Sequence, residues 1–214
     1  MKLNLLNGFA KKAVFLITVL SLSALAFGQD RPDALKMLNE GKYAESIRIC
    51  EMELQENPNN LDSYTVLCWA LVANGQYAEA ETRATQGRRV GPNDNRLIEV
   101  LGEAKYYLGK NDEAMNLFER YVSNVQQNAS RLGKVYWLMG EIYIRESKYE
   151  HADISLSMAV RIDTNRDDWW TRLGYAREQI GDYSSAIAAY DRALALNSTL
   201  SDALNGKVRC QQHL

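Results

Sequence analysis

The amino-acid sequence predicts an all-α fold, a solenoid of about five helix-turn-helix units followed by a C-terminal capping helix, and three observations carry that prediction. Tyr43, Tyr77, Asn111, Tyr149 and Tyr183 recur at separations of 34, 34, 38 and 34 residues. Each is followed three residues on by a small side chain, Ser46, Ala80, Ala114, Ala152 or Ala186, and preceded two residues back by Gly41, Gly75, Gly109, Ser147 or Gly181. Only 3 prolines interrupt 214 residues that are 46% hydrophobic, so breakers are scarce and there is apolar content enough to order the chain.

The elements of one unit follow in order. Upstream of the central glycine stands a pair made of one large and one small residue, Leu67-Cys68, Leu101-Gly102, Met139-Gly140 or Leu173-Gly174. Apolar residues recur at three- and four-residue intervals from there to the glycine, the mark of an amphipathic helix. The glycine ends that helix because it enters the left-handed region without a Cβ penalty. A second helix follows, with Ala152 and Ala159 or Ala186 and Ala193 allowing close approach, and Phe118 or Tyr190 supplying bulk. Pro58 and Pro92 stop this second helix from running on. Such a hairpin cannot cover its own apolar face, so units stack.

The units span about 30–60, 61–94, 95–128, 133–166 and 167–200, and 201–214 is the capping helix. The spacing of 38 places four extra residues in "VQQNASRLGK". Four residues are about one helical turn, which predicts a lengthened helix rather than a break between domains. Lys105 and Arg177 stand where a large apolar residue is expected, and the first unit begins raggedly near Asp30.

Residues 1–28 read as a signal peptide. Lys2, Lys11 and Lys12 precede an apolar run from Ala13 to Ala26, and Ala26-Phe27-Gly28 places small residues where a signal peptidase cuts, before Gln29. The alternative is a retained membrane anchor, for which the run is short. The whole chain carries −2; without the three lysines, 22 basic and 27 acidic side chains leave −5. That charge offers nothing to a nucleic-acid backbone, so no nucleic-acid partner is expected. Membrane association is expected only if the N-terminal segment is retained, and an exported, periplasmic or otherwise extracytoplasmic location follows if it is not. Cys50, Cys68 and Cys210 lack zinc or redox spacing. Cys50 and Cys68 fall at core positions as buried thiols, or as a bridge if geometry allows.

Chemistry is sparse. His151 and His213 are the histidines, and neither a nucleophile motif, a phosphate loop nor a pair of metal ligands at a recognised spacing occurs, so no enzyme, cofactor or metal is expected. His151 reads as a solvated surface residue. Asn128-Ala-Ser130 and Asn197-Ser-Thr199 match glycosylation acceptors, which matter only on a eukaryotic secretory route.

Trp170, Leu173, Gly174, Gly181, Tyr183, Ala186, Tyr190 and Ala193, with Tyr64, Leu67, Leu71, Gly75, Tyr77, Ala80 and Pro92, resemble the tetratricopeptide repeat. The resemblance covers nearly all of the chain after residue 28. It implies a right-handed α-solenoid whose concave surface, lined by one face of each first helix, binds a protein or peptide. Carried across residue by residue, that lining is Thr65, Trp69 and Val72; Arg96, Glu99, Glu103 and Tyr106; Lys134, Trp137, Glu141, Ile144 and Arg145; then Thr171, Tyr175, Glu178 and Gln179. Cytosolic co-chaperones of this family hold a terminal carboxylate with lysine and asparagine. Here Thr65 and Trp69, or Glu99 and Glu103, take those places, so that clamp is absent. Trp69, Tyr106, Trp137 and Tyr175 point instead to apolar anchors on an extended or helical peptide, unless the rings pack between repeats. An exported interaction scaffold, one that assists assembly of a cell-envelope complex, is the reading; a self-associating structural component and a membrane-retained adaptor are the alternatives. The sequence leaves the oligomeric state open.

Overall fold

Each hairpin turns where a first-type helix meets a residue in the left-handed region. The computed structural model describes residues 33 to 214, and the expected signal peptide lies outside the described residues. Among the described residues eleven helices and no strands follow one another: α1 (Ala34–Asn39), α2 (Tyr43–Glu56), α3 (Leu61–Ala73), α4 (Tyr77–Val90), α5 (Asn95–Tyr107), α6 (Asn111–Asn124), α7 (Leu132–Arg145), α8 (Tyr149–Ile162), α9 (Asp167–Ile180), α10 (Tyr183–Leu196) and α11 (Ser201–Gln211). Odd-numbered helices are first-type and even-numbered helices second-type. None of the described helices is long and apolar enough to cross a membrane. Residues Ala34–Leu214 form one compact unit.

The turn after α3 shows how the hairpin closes. Gly75 has φ +75°, its N–H donates to the Val72 carbonyl at 3.0 Å, and the Gln76 N–H donates to the Leu71 carbonyl at 2.8 Å. These bonds satisfy carbonyls that the helix end leaves open. Ser147 makes the equivalent turn after α7 at φ 58°, so one hairpin carries a Cβ in a region that disfavours it. At the other end, Asn60 and Asp94 cap α3 and α5 with side-chain oxygens that accept from backbone N–H groups.

Large side chains on second helices meet small residues on first helices. A Cβ on Gly102 would come 2.6 Å from Phe118, on Gly140 2.6 Å from Leu156, and on Gly174 2.6 Å from Tyr190. Where the second-helix residue is Ala84, the first helix carries Cys68, so the volume is traded between partners. Cys50, Cys68 and Cys210 are free and buried. Burial pushes the Cys50 thiol up to about 12 and the Cys68 thiol higher still, leaving both as inert apolar filler.

Two charged residues at expected apolar positions have local partners. Lys105 lies 2.7 Å from Glu81 and 2.6 Å from Glu113. Arg177 lies 2.7 Å from Asp153 and donates to the Ser157 hydroxyl at 3.1 Å. Both keep their aliphatic stems in the interface while the heads find acids on second helices.

The insertion corrects the sequence expectation. Neither helix beside it is lengthened: α6 and α7 have 14 residues each, like α8 to α10. Three of the four added residues lengthen the connection to seven, 125–131, where the other units are joined by four residues. A turn of extra helix would have needed apolar residues in register, and Gln126, Gln127 and Asn128 supply none.

The backbones of consecutive first-type helices come close along the stack, α1 with α3, then α5, α7, α9 and α11, whereas those of consecutive second-type helices stay apart and meet only through long side chains such as Arg83 and Glu51. The stack therefore curves with the first-type helices on its inner side.

Candidate peptide-binding groove

Charged side chains on the inner wall pair across neighbouring first-type helices. Arg131, the residue before α7, brings Nε to 2.7 Å from Glu99 and Nη2 to 2.6 Å from Glu103 on α5. Lys134 of α7 also pairs with Glu103. Arg172 of α9 donates to Glu141 of α7 at 2.5 Å, and Arg209 of α11 donates to both oxygens of Glu178 of α9 at 2.6 and 2.9 Å. The rungs repeat because successive first helices present the same face to each other.

Glu99 and Glu103 are 0% and 1% exposed. The indole N–H of Trp69 donates to Glu99 at 3.2 Å, while Glu99 Oε1 has no hydrogen-bond partner. Burial pushes the Glu99 carboxyl up to about 7, against the opposing pull of Arg131, with the Glu103 charge adding to the rise. Arg131 is shared between two acids, so it restores to Glu99 less than burial takes. For Glu178, burial also acts upward, but donors from Arg209 and Tyr190 outweigh it and hold this carboxyl below its ordinary value.

Glu103, Arg131 and Lys134 border a cavity of about 640 Å³ that is also lined by Leu35, Leu38 and Asn39 of α1, Trp69, Val72 and Ala73 of α3, Tyr77 at the start of α4, Tyr107 at the end of α5, and Ser130. Arg131 reaches across α5 from the insertion to lie 5.1 Å from the Trp69 ring centre. Tyr77 and Tyr107 stack at 4.5 Å. A second cavity, of about 370 Å³, lies between α9 and α11 and is lined by Thr171, Arg172, Tyr175, Tyr190, Asp202, Asn205 and Arg209.

Of the residues expected to line the groove, Trp69, Val72, Glu103 and Lys134 meet in the first cavity, and Thr171 and Tyr175 in the second. Thr65 is buried and its hydroxyl donates to the Leu61 carbonyl within its own helix. Arg96 is held by Asp62 and Asp94 at 2.7 Å each. Tyr106 is buried under Arg145, whose guanidinium lies 4.1 Å from the ring centre, and Ile144 is buried. Trp137 stacks on Trp169 at 6.3 Å. Glu141 and Glu178 are rungs of the ladder, and Gln179 is exposed. The four rings singled out by the sequence thus do not share one cavity. Tyr107, Leu35 and Leu38 escape sequence reasoning because they stand at the end of α5 and on a short helix, and the sequence marks Tyr77 only as a landmark of the repeat. Arg131 escapes it as well, although the four-residue insertion marks the place.

Among the described residues no group of three or more His, Cys, Asp or Glu could hold a metal ion. Residues 37–103 match one tetratricopeptide repeat model and residues 168–200 match another. The chain carries tetratricopeptide repeats. Its fold matches the structure of PilF from Pseudomonas aeruginosa with a TM-score of 0.73 and 14% identity, over 84% of this chain and 80% of that one. YrrB, described as a tetratricopeptide repeat protein with an unusual peptide-binding site, matches at 0.63 and 16% identity over 82% and 88% of the two chains. MamA from Desulfovibrio magneticus RS-1 matches at 0.64 and 18% identity over 78% and 93%. Cellulose synthase operon protein C of Salmonella typhimurium is 27% identical over 181 residues, 79% of this chain and 15% of that protein. Human protein O-mannosyl-transferase TMTC1 is 23% identical over 161 residues, 74% of this chain and 18% of that protein. This tetratricopeptide repeat chain therefore spans less than a fifth of those two curated relatives. The fold is consistent with a protein–protein interaction scaffold.

Proposed function

We propose that this chain is an exported scaffold that captures a protein or peptide segment on its inner wall, seating an apolar or aromatic side chain in the cavity beside Trp69. One observation carries the reading: the charged residues of that wall are already bonded to each other, while Leu35, Leu38, Val72 and Ala73, with the Trp69, Tyr77 and Tyr107 rings, form the apolar side of a mixed polar and apolar recess. Affinity in such a site comes from a desolvated anchor. Export is supported by the basic, apolar and small-residue order of positions 2 to 28. Assistance to a cell-envelope assembly would follow from that location together with a bound partner.

Ala73 is exposed at the cavity wall, so Ala73→Trp fills the recess without entering the core. Peptides selected from a random displayed library on the wild type should carry an apolar or aromatic residue and lose at least about tenfold in affinity for A73W at unchanged helicity. Equal binding to A73W rules the cavity out. N-terminal sequencing of the mature protein tests export, with Gln29 as the expected first residue. Self-association without a groove ligand is favoured by Leu204 and Val208, exposed on α11; a solution mass above the monomer that A73W leaves intact would support it.

A further inference from the structure

Arg131 is where the ladder of ion pairs and the recess meet. Its side chain lines the recess and lies 5.1 Å from the Trp69 ring centre, so the guanidinium takes part of the ring face that an apolar anchor would cover. Two carboxylates hold it there, and they hold it unequally. Nη2 donates to Glu103 at 2.6 Å, and Glu103 has Lys134 as a second partner. Nε stands 2.7 Å from Glu99 without the alignment of a hydrogen bond, so Glu99 acts on it through charge.

Charge is what a proton removes from Glu99. The carboxyl is 0% exposed, Oε1 has no hydrogen-bond partner, and Oε2 accepts from the Trp69 indole N–H at 3.2 Å. The groups that face it are Arg131 from the 125–131 connection, Lys134 from α7, Tyr121 from α6, Trp69 from α3 and Glu103 from its own helix. Burial raises the Tyr121 phenol as well, so it stays neutral where Glu99 titrates. When Arg131 moves off the ring, Glu103 keeps Lys134, but an ionised Glu99 is left as a buried charge without its nearest cation. A neutral Glu99 carries no such cost.

We propose that Arg131 is a movable cover over Trp69 and that Glu99 is its latch: ionised, the carboxylate keeps the guanidinium over the ring; protonated, it lets that side chain swing aside, and the recess holds an apolar or aromatic anchor more tightly. The inference rests on the reading of that recess as the anchor site. Burial keeps the proton on Glu99 up to about 7, so both states are reached in ordinary solution. Seating the anchor takes the nearest cation away from Glu99 and so favours its proton; by linkage, affinity falls as pH rises through about 7.

The test uses a peptide selected on the wild type from a random displayed library, blocked at both ends and free of ionisable side chains, so that any pH dependence belongs to the protein. Its dissociation constant should rise at least about fivefold from about pH 6 to about pH 8.5 for the wild type. For Glu99→Gln, which holds the latch neutral, it should stay within about twofold of the wild-type value at the acid end. Calorimetry at about pH 7.5 in buffers of different ionisation enthalpy should show proton uptake on binding, absent in E99Q. The free protein gives a reading that needs no peptide: the Trp69 indole N–H resonance should titrate with a midpoint of about 7 and stay in place in E99Q. A Trp69 resonance that is flat across that range overturns the latch whether or not a peptide is found. A wild-type affinity that is constant, or that rises with pH, overturns it too, and leaves the recess standing where Ala73→Trp still abolishes binding. Binding that neither pH nor Ala73→Trp affects removes the recess as well.

Discussion

Glu99→Gln tests how far burial governs the inner wall. The carboxyl is 0% exposed, and the charged groups facing it are Arg131, Glu103 and Lys134, with the Tyr121 phenol and the Trp69 N–H beside it. Its value is raised to about 7 from an ordinary 4.5. Between those two values the folded protein holds a proton that the unfolded chain has released, so stability from this group is full below about 4.5 and is lost as pH rises through about 7. At about 1.4 kcal/mol for each pH unit in that window, the loss comes to about 3 kcal/mol. Glutamine keeps the shape and an acceptor for Trp69 but cannot ionise. E99Q should therefore gain on the wild type by up to about 3 kcal/mol between pH 4.5 and pH 8.5, and the two should differ little in pH dependence below that range. Urea unfolding of both proteins at several pH values reads the difference directly, cancelling the groups they share. A difference that stays flat from pH 4.5 to pH 8.5 would refute the reasoning, and one that falls would mean that Arg131 outweighs burial.

Two further substitutions probe the hairpins. Ser147→Gly relieves a Cβ at φ 58° and should raise stability by about 0.5–1 kcal/mol after the greater freedom of glycine in the unfolded chain is offset, read as a higher urea midpoint at unchanged slope. Gly174→Ala should cost about 1–3 kcal/mol, because its Cβ would meet the fully buried Tyr190 ring at 2.6 Å and Gly206 faces the same ring from α11. Combining it with Tyr190→Ala should cost less than the sum of the two single changes; strict additivity would mean that the contact is unimportant.

The repeat was legible because its determinants are local. Gly75 needs only its own backbone angle, and the Gly174–Tyr190 pairing needs only that two helices of one hairpin meet at a fixed register. The groove was less legible because it depends on the angle between units. Glu99 and Glu103 sit on the predicted face of α5, but α7 and the 125–131 connection bring Arg131 over them, and the acids become the floor of the wall. Tyr106 is covered by Arg145 in the same manner. An inserted polar connection can be counted in a sequence; where its last residue lands is fixed by α3 and α5, both distant in the chain.

That closure bears on what the groove can recognise. A solenoid has contacts only between neighbouring units, so ties between successive first helices have to come from side chains on the wall itself. Here the ties are Arg131 and Lys134 to Glu103, Arg172 to Glu141 and Arg209 to Glu178, and each engages a charge that a ligand could otherwise have met. A partner carrying its own charges gains from these groups only by displacing a bond already made, and the displaced acid, at 1% exposure for Glu103, would be left buried and unpaired. Selectivity on this face must then rest on shape and apolar fit around Trp69.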